Sequence, residues 1–213
     1  TDQWETADEY LSGNVREKLS IAKNYAENHP EYQVNVVHLE QVMPKDLEAS
    51  YIEVRLGATW VDPKYIEDFM RETFQTPGYL FDRNVMGIQY SDVTGLWNVK
   101  GKNADYGNTL ANMTFGTGRA NAYKILEDSL NLKDVRIYDT IVEDGKEKRV
   151  LNKKETTLAA QKQEAIREAF KDWIFKDPER RADLVKVYNE RFNSTRPREY
   201  DGSHLQFPGM TPD

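Results

Sequence analysis

The sequence predicts an α+β protein in which about six helices pack on a small antiparallel sheet built from hairpins. Several long segments carry apolar residues at the three- and four-residue spacing of amphipathic helices. Two pairs of short alternating segments are joined by glycine-containing turns, with no helix between the paired strands. Strands joined in this way pair antiparallel, whereas parallel strands need crossover helices, so the α/β class is not favoured.

The first part of the chain, about residues 1–78, is predicted to be mainly helical. Apolar residues at helical spacing follow Gly13-Asn14, and a second helix is expected over residues 32–43. Asp62-Pro63 indicates a third helix start, because aspartate caps free amide groups and proline suits the first helical position.

The second part, about residues 79–193, is predicted to contain the hairpins. VMGIQY (85–90) and LWNVK (96–100) flank a loop of five residues, and VRIYDTIV and EKRVL flank a tight turn at residues 143–146. The fifth predicted strand lies earlier, at residues 51–57 (YIEVRLG), where apolar and polar side chains alternate.

Three further helices complete the predicted fold. The first is expected near residue 119, the second after Asn152, which forms a capping-box pattern with Glu155, and the third after Asp177-Pro178. Together the two parts are predicted to form one domain over residues 1–193. The remaining residues, 194–213, are rich in proline, glycine and arginine without periodicity, which predicts an extended linker.

Composition excludes several classes of protein. No apolar run approaches the roughly 18 residues of a membrane span, and TDQWETADEY at the N-terminus lacks the pattern of a secretion signal. We therefore expect a soluble, cytoplasmic chain without membrane contact. The absence of cysteine excludes disulfides, thiolate nucleophiles and cysteine-based metal sites, and the three histidines are far apart. No metal or cofactor is expected in this chain.

No catalytic motif is complete. GLWNVKGK (95–102) has one residue too many between its glycines for a phosphate-binding loop and lacks Ser or Thr after the lysine. His38 has no second histidine four residues later, as a helical zinc motif needs. The Asn-Pro-Pro-aromatic motif of adenine methylation and the Asp-Glu-x-His box are also absent. The sequence predicts that this chain is not an enzyme, and a hydrolase built on His38 or on a Glu/Asp pair is the least favoured alternative.

Local basic segments are the remaining candidates for function. The net charge of −7 disfavours a uniformly basic nucleic-acid binder but allows a local basic face. Arg119 and Lys124 follow a glycine-rich helix start that could bind phosphate, unless Thr117 simply caps that helix. The charges around the second hairpin either protect a solvated edge or contact a phosphate backbone: Lys146, Lys148, Arg149, Lys153 and Lys154. The predicted nucleic-acid-binding residues are Arg119, Lys124, Lys148, Arg149, Arg196 and Arg198.

Four segments support a resemblance to a known family: DEYLSGNVREKL (8–19), VRLGATWVDPKYIEDF (54–69), GTGRANAY (116–123) and RFNSTRPREYDGSHLQFPGM (191–210). They resemble a segment of the very large DNA methylase–helicase proteins of phages, plasmids and conjugative elements. In that family an adenine-specific methyltransferase region lies upstream, and a Swi/Snf-type superfamily-two helicase region lies downstream.

The resemblance implies a function through neighbouring domains. It implies that the tail leads into a helicase motor, that DNA is the substrate of the whole protein, and that the adjoining helicase and methyltransferase domains are partners. The family's methylase and ATPase residues lie outside these 213 positions, so none is assigned here. The resulting hypothesis is a non-catalytic accessory domain that helps to engage DNA or docks against the helicase. The alternative is a structural or protein-interaction spacer without nucleic-acid contact.

Overall fold

The computed structural model of the protein describes residues 5–143 and 145–198, and these confirm the α+β class. They form eight α-helices, one π-helical turn and three antiparallel ladders of two strands each. The helices are α1 (Ala7–Tyr10), α2 (Val15–Ala26), α3 (Gln33–Gln41), α4 (Pro63–Thr73), α5 (Gly78–Asp82), α6 (Ala122–Leu130), α7 (Lys153–Ile174) and α8 (Pro178–Phe192), with the π-helical turn at Leu110–Thr114. The strands are β1 (Gly13–Asn14), β2 (Gly87–Ser91), β3 (Leu96–Lys100), β4 (Tyr138–Glu143), β5 (Lys146–Leu151) and β6 (Thr195–Arg196).

The chain divides into two compact units. The larger unit is Glu53–Leu184, and the smaller unit combines Thr1–Ile52 with Val185–Asp213. Of the predicted linker, the structure describes residues 194–198, and β6 lies among them, whereas residues 199–213 are outside the described residues.

The smaller unit is organised around helices α2 and α3. Helix α2 begins as predicted after Asn14, whose side chain accepts a hydrogen bond from the Glu17 amide at 3.2 Å. Strand β1 pairs with β6, so Gly13 is opposite Arg196. The core of this unit consists of Val15, Ala22, Ala26, Val36 and Leu39.

Side-chain amides fix the loop that follows α3. The Asn189 amide accepts from the Leu47 backbone N–H at 2.9 Å and donates to the Leu47 carbonyl at 3.0 Å. Asn193 donates to the Lys45 carbonyl at 2.9 Å. Within the part of the chain that the structure describes, this loop belongs to no ladder, so asparagine side chains satisfy backbone groups that a neighbouring strand would otherwise pair.

The larger unit has an aromatic core. Phe69 of α4 is fully buried, and its ring lies 5.3 Å from Phe74, 5.3 Å from Phe170 and 5.4 Å from Trp173, measured between ring centroids. All three contacts are edge-to-face, the arrangement that aromatic quadrupoles favour. Helix α4 begins at Pro63 as predicted, with Asp62 accepting from the Lys64 amide.

Among the described residues no third strand joins the ladder of β2 and β3, and side chains from α4, from α6 and from the residue directly after α6 complete its edges. Glu67 accepts from the Ile88 amide at 3.1 Å on the β2 edge. On the β3 edge, Asn131 accepts from the Trp97 amide at 2.9 Å and Glu127 accepts from the Val99 amide at 2.8 Å. A two-stranded hairpin alone is marginal in water, so these contacts help to hold it.

The predicted strand at residues 51–57 is wrong. Ile52, Val54 and Leu56 are buried and the residues between them are exposed, as the alternation indicated. The segment nevertheless pairs with no strand among the described residues. The alternation of apolar and polar residues therefore indicated correctly that one side of the segment is buried. It did not indicate that the described residues form no ladder with this segment.

The second predicted hairpin is confirmed as β4 and β5. Glu143 is opposite Lys146, as expected for the tight turn, and Gly145 has a φ of 74° that glycine adopts readily. Asp144 of that turn lies outside the described residues. Across the described ranges, 5–143 and 145–198, we find no helix that combines the length and the apolar character needed to cross a membrane.

Candidate nucleic-acid interface

The hairpin of β4 and β5 is exposed along both strands. All six residues of β5 are exposed, and in β4 only Asp139 is half-buried. The exposed side chains include apolar ones on both faces, with Val142 72% exposed near the turn. A hairpin with two solvent-exposed faces contributes little to a core, so its conformation must be held by contacts at its base.

Arg119 fixes the base of this hairpin. Its guanidinium donates to the Asp139 carboxylate at 2.8 Å and to the Tyr138 carbonyl at 2.9 Å. Asn152 donates to the other carboxylate oxygen of Asp139 at 2.7 Å, and the Asn152 amide donates to the Ile137 carbonyl at 2.8 Å. Arg119 and Asn152 thus connect β4 with the segment before α6 and with the start of α7.

These contacts alter the acidity of Asp139. The hydrogen bond from Arg119 is the largest cause, followed by that from Asn152, and together they hold the pKa of Asp139 below its ordinary value. The folded chain therefore keeps the carboxylate charged to lower pH than the unfolded chain does. The stabilisation by this contact is complete above the ordinary aspartate pKa and is lost as the pH falls through the lowered value.

Replacing Arg119 by alanine is expected to raise the pKa of Asp139 toward the ordinary aspartate value. The reason is that the largest favourable contact of the charged form disappears. Carboxyl carbon chemical shifts measured against pH report this titration directly. Arg55→Ala serves as the control because Arg55 is exposed and forms no ion pair with a described residue. An Asp139 that titrates identically in the Arg119→Ala and unmodified proteins would contradict the assignment.

The two predicted residues on β5 face different sides of the hairpin. Lys148 forms an ion pair with Glu143 at 3.0 Å, an exposed contact worth little in water. Arg149 lies opposite Thr140, and its guanidinium sits 4.8 Å from the centroid of the Tyr138 ring. Arg149 forms no ion pair with a described residue, so its charge remains available to a ligand.

Helix α7 begins directly after the hairpin with two lysines. Its cap is formed as predicted, because the Asn152 side chain accepts from the Glu155 amide at 3.0 Å. Lys153 and Lys154 occupy the first turn, and both are exposed without an ion pair to a described residue. Cations are unfavourable at this end of a helix, since its free amide groups already carry partial positive charge. A phosphate would remove the conflict, because it is attracted to the lysines and to the helix start alike.

The phosphate site predicted around Arg119 and Lys124 has a different geometry. The helix start lies at Asn121, whose side chain accepts from the Lys124 amide at 3.0 Å, so the expectation that Thr117 caps the helix is wrong. Thr117 instead pairs with Ala120 in a turn. Lys124 is exposed on α6, whereas Arg119 is already bound to Asp139.

The other two predicted residues lie in the smaller unit. Arg196 of β6 donates to the Leu11 carbonyl at 3.5 Å, and Arg198 lies 4.0 Å from the Glu9 carboxylate. Of the six predicted residues, the structure thus brings Arg119 and Arg149 together around Tyr138, with Lys148 on the same hairpin.

Sequence reasoning counted Lys153 and Lys154 among the charges around the second hairpin but did not include them in the predicted binding residues, and it did not consider Arg136. Arg136 is exposed just before β4 and forms no ion pair with a described residue. The signal that could have selected the lysines was available, since two cations in the first turn of a capped helix oppose the usual preference.

Little in the described chain indicates metal or hydrolytic chemistry. Within residues 5–143 and 145–198 no group of three His, Asp or Glu side chains is placed to hold a metal ion. His38 is exposed on α3. Lys102, at the end of the rejected phosphate-loop pattern, donates to both carboxylate oxygens of Glu127 at 2.6 Å.

Comparison with known proteins gives one family. Searches among curated proteins and among solved structures returned no match. A family model described as a domain of unknown function, DUF8437, matches residues 55–194, which include nearly all of the larger unit, with the β4–β5 hairpin and α7 inside it. Because that match covers more than half of the chain, the protein belongs to the DUF8437 family.

Proposed function

We propose that this chain is a non-catalytic accessory domain that binds the phosphate backbone of DNA through the base of the β4–β5 hairpin and the start of α7. The observation that supports it is the group of exposed cations there without carboxylate partners among the described residues: Arg136, Arg149, Lys153 and Lys154. An overall acidic protein that keeps such cations unpaired beside a helix N-terminus offers a local anion site.

The resemblance to the DNA methylase–helicase proteins supports the same proposal. In that context the domain lies between a methyltransferase and a helicase motor, works in the cytoplasm, and needs no cofactor of its own. Its contribution is to position DNA for the motor or to couple the motor to the neighbouring domains.

The proposed contact is electrostatic and non-specific in sequence. Arg149 and the two lysines of α7 would approach phosphate oxygens, while Arg119 holds the hairpin in place through Asp139. Each phosphate that is neutralised releases condensed counterions from the duplex, so the affinity must fall steeply as salt concentration rises.

The Lys153→Gln/Lys154→Gln variant is expected to bind duplex DNA more weakly and with a smaller salt dependence. Two lost phosphate contacts should reduce the slope of log affinity against log salt by about two, since each contributes roughly 0.9. Fluorescence anisotropy with labelled duplex and single-stranded DNA at several salt concentrations measures both quantities. The matched control is Lys171→Gln/Lys176→Gln, which removes two exposed lysines from the opposite end of the same helix region.

Two results would count against this proposal. If both double variants weaken binding equally, DNA binding depends on the net charge of the protein rather than on this surface. If the unmodified protein binds neither form of DNA at low salt, the result favours the second candidate function, which is a spacer or protein-interaction domain. The exposed apolar side chains of the hairpin, Ile141, Val142, Val150 and Leu151, favour that candidate, because they suit contact with a neighbouring protein domain.

A further inference from the structure

A second surface of the larger unit contains a pocket of about 740 Å³ next to the β2–β3 hairpin. Its wall includes the aromatic residues Tyr90 and Trp97, together with Gln89, Asn98, Lys133 and Glu127, whose carboxylate is paired with Lys102. The volume lies within the range of small-molecule sites. None of these residues belongs to the hairpin or helix start proposed above as the DNA contact.

Trp97 provides the observation that points to a ligand. Its side chain is 4% exposed, and its indole N–H is the one buried side-chain donor without a hydrogen-bond acceptor among the described residues. Leaving a buried donor unpaired costs free energy, and such groups are uncommon in folded proteins. By contrast, the indole N–H of Trp173 is bonded to the Glu72 carboxylate at 2.6 Å.

The surroundings of Trp97 hold it in one position. Asn131 bonds both backbone groups of Trp97, accepting from its amide and donating to its carbonyl, each at 2.9 Å. The half-buried ring of Tyr90 packs against the indole with centroids 5.0 Å apart and planes at 45°. The backbone of Trp97 is thus held by Asn131, and the Tyr90 ring is in contact with its indole.

Several polar side chains of the wall, Ser91, Glu127 and Asn131, are already hydrogen-bonded, whereas others are not. Lys133 is exposed and forms no ion pair with a described residue, and Gln89 and Asn98 make no side-chain hydrogen bond with one. A ligand that satisfies this wall therefore has a flat face for Tyr90, an oxygen acceptor for the indole N–H, and negative charge for Lys133. A nucleotide has all three, through its base, its base carbonyl and its phosphate.

We propose that this pocket binds a single nucleotide unit, free or within a single strand. The base stacks on Tyr90 after that ring turns aside, a base carbonyl accepts from Trp97 Nε1, and the phosphate meets Lys133. This inference goes beyond the proposed duplex contact and does not depend on it.

Indole signals of the nitrogen-15-labelled protein test the proposal with thymidine monophosphate as the probe. The Trp97→Phe variant assigns the Trp97 signal. On titration that signal is expected to move downfield and to saturate as its N–H gains an acceptor, while the Trp173 signal stays in place. Thymidine alone and inorganic phosphate, tested separately, are each expected to bind more weakly. A Trp97 signal that does not move with the mononucleotide overturns the proposal, as does equal binding of inorganic phosphate.

Two variants make the test independent of folding. Tyr90→Leu is expected to weaken nucleotide binding by at least about fivefold, because base–aromatic stacking is lost. Lys133→Gln changes only an exposed side chain, and it is also expected to weaken binding, with Lys171→Gln as the matched control. If Lys133→Gln and its control bind equally, the phosphate is not held here and the proposal fails. Lys153→Gln/Lys154→Gln should leave mononucleotide binding unchanged, so a failure of the duplex contact and a failure of the pocket give different results.

Discussion

Replacing Phe69 by alanine is expected to destabilise the larger unit by about 3–5 kcal/mol, the usual cost of removing a phenylalanine ring from a core. Phe69 is 0% exposed and lies in edge-to-face contact with Phe74, Phe170 and Trp173. The substitution removes all three ring contacts and leaves a cavity, because helices α4 and α7 cannot both close around the missing ring without disturbing other contacts.

The measurement is urea denaturation followed through the Trp173 indole signal, which reports the larger unit itself. Tyr106→Ala is the matched control, since an aromatic ring is removed from a side chain of the same unit that is 88% exposed. The control is expected to cost less than about 1 kcal/mol. A Phe69→Ala protein as stable as the control would show that the aromatic cluster does not determine the stability of this unit.

Local signals predicted the starts of α2, α4 and α7 correctly. Asn14, Asp62 and Asn152 each accept a hydrogen bond from a backbone amide two or three residues later, within the range that a sequence pattern covers. The same holds for the turn between β4 and β5, where glycine and charge pairing are local. Helix α5 has only five residues, too few to show helical periodicity, and it was not predicted.

Long-range pairing could not be predicted from such signals. The segment at residues 51–57 has the alternation of a strand without the partner, whereas β1 and β6 pair although nearly the whole chain separates them. The edges of the β2–β3 ladder likewise depend on Glu67, Glu127 and Asn131, which come from two different helices. Alternation reports burial on one side, but a ladder needs a second backbone that the pattern does not identify.

The candidate site shows the same difference between local features, which the sequence indicates, and long-range contacts, which it does not. Arg119 was selected because it precedes a helix, but its structural role depends on Asp139, 20 residues further along the chain. The unpaired state of Arg149, Lys153 and Lys154 also became visible only once the neighbouring carboxylates had positions. Sequence reasoning thus finds cations at helix starts and hairpins, whereas the structure separates those already bound from those still available.

Gln163 combines burial with three hydrogen bonds. It is 2% exposed on α7 and accepts from the Val135 amide at 3.2 Å. Its own amide donates to the Lys133 carbonyl at 2.8 Å and to the Ser129 hydroxyl at 3.1 Å. One side chain therefore pairs the Val135 amide and the Lys133 carbonyl in the segment that leads from α6 toward β4. A neighbouring strand would otherwise pair such groups.

Replacing Gln163 by alanine is expected to destabilise the larger unit by about 2–4 kcal/mol, because the buried Val135 amide and the partly buried Lys133 carbonyl lose their partners at once. Gln161→Ala is the matched control, since it makes the same chemical change at an exposed position of the same helix, and it should stay within about 0.5 kcal/mol of the unmodified protein. Hydrogen exchange separates this loss from a simple cavity effect. The Val135 amide should exchange faster in Gln163→Ala by more than the global destabilisation explains, since its acceptor is gone. If Val135 exchanges no faster than the other amides of the larger unit, the Gln163 side chain is not what holds this segment.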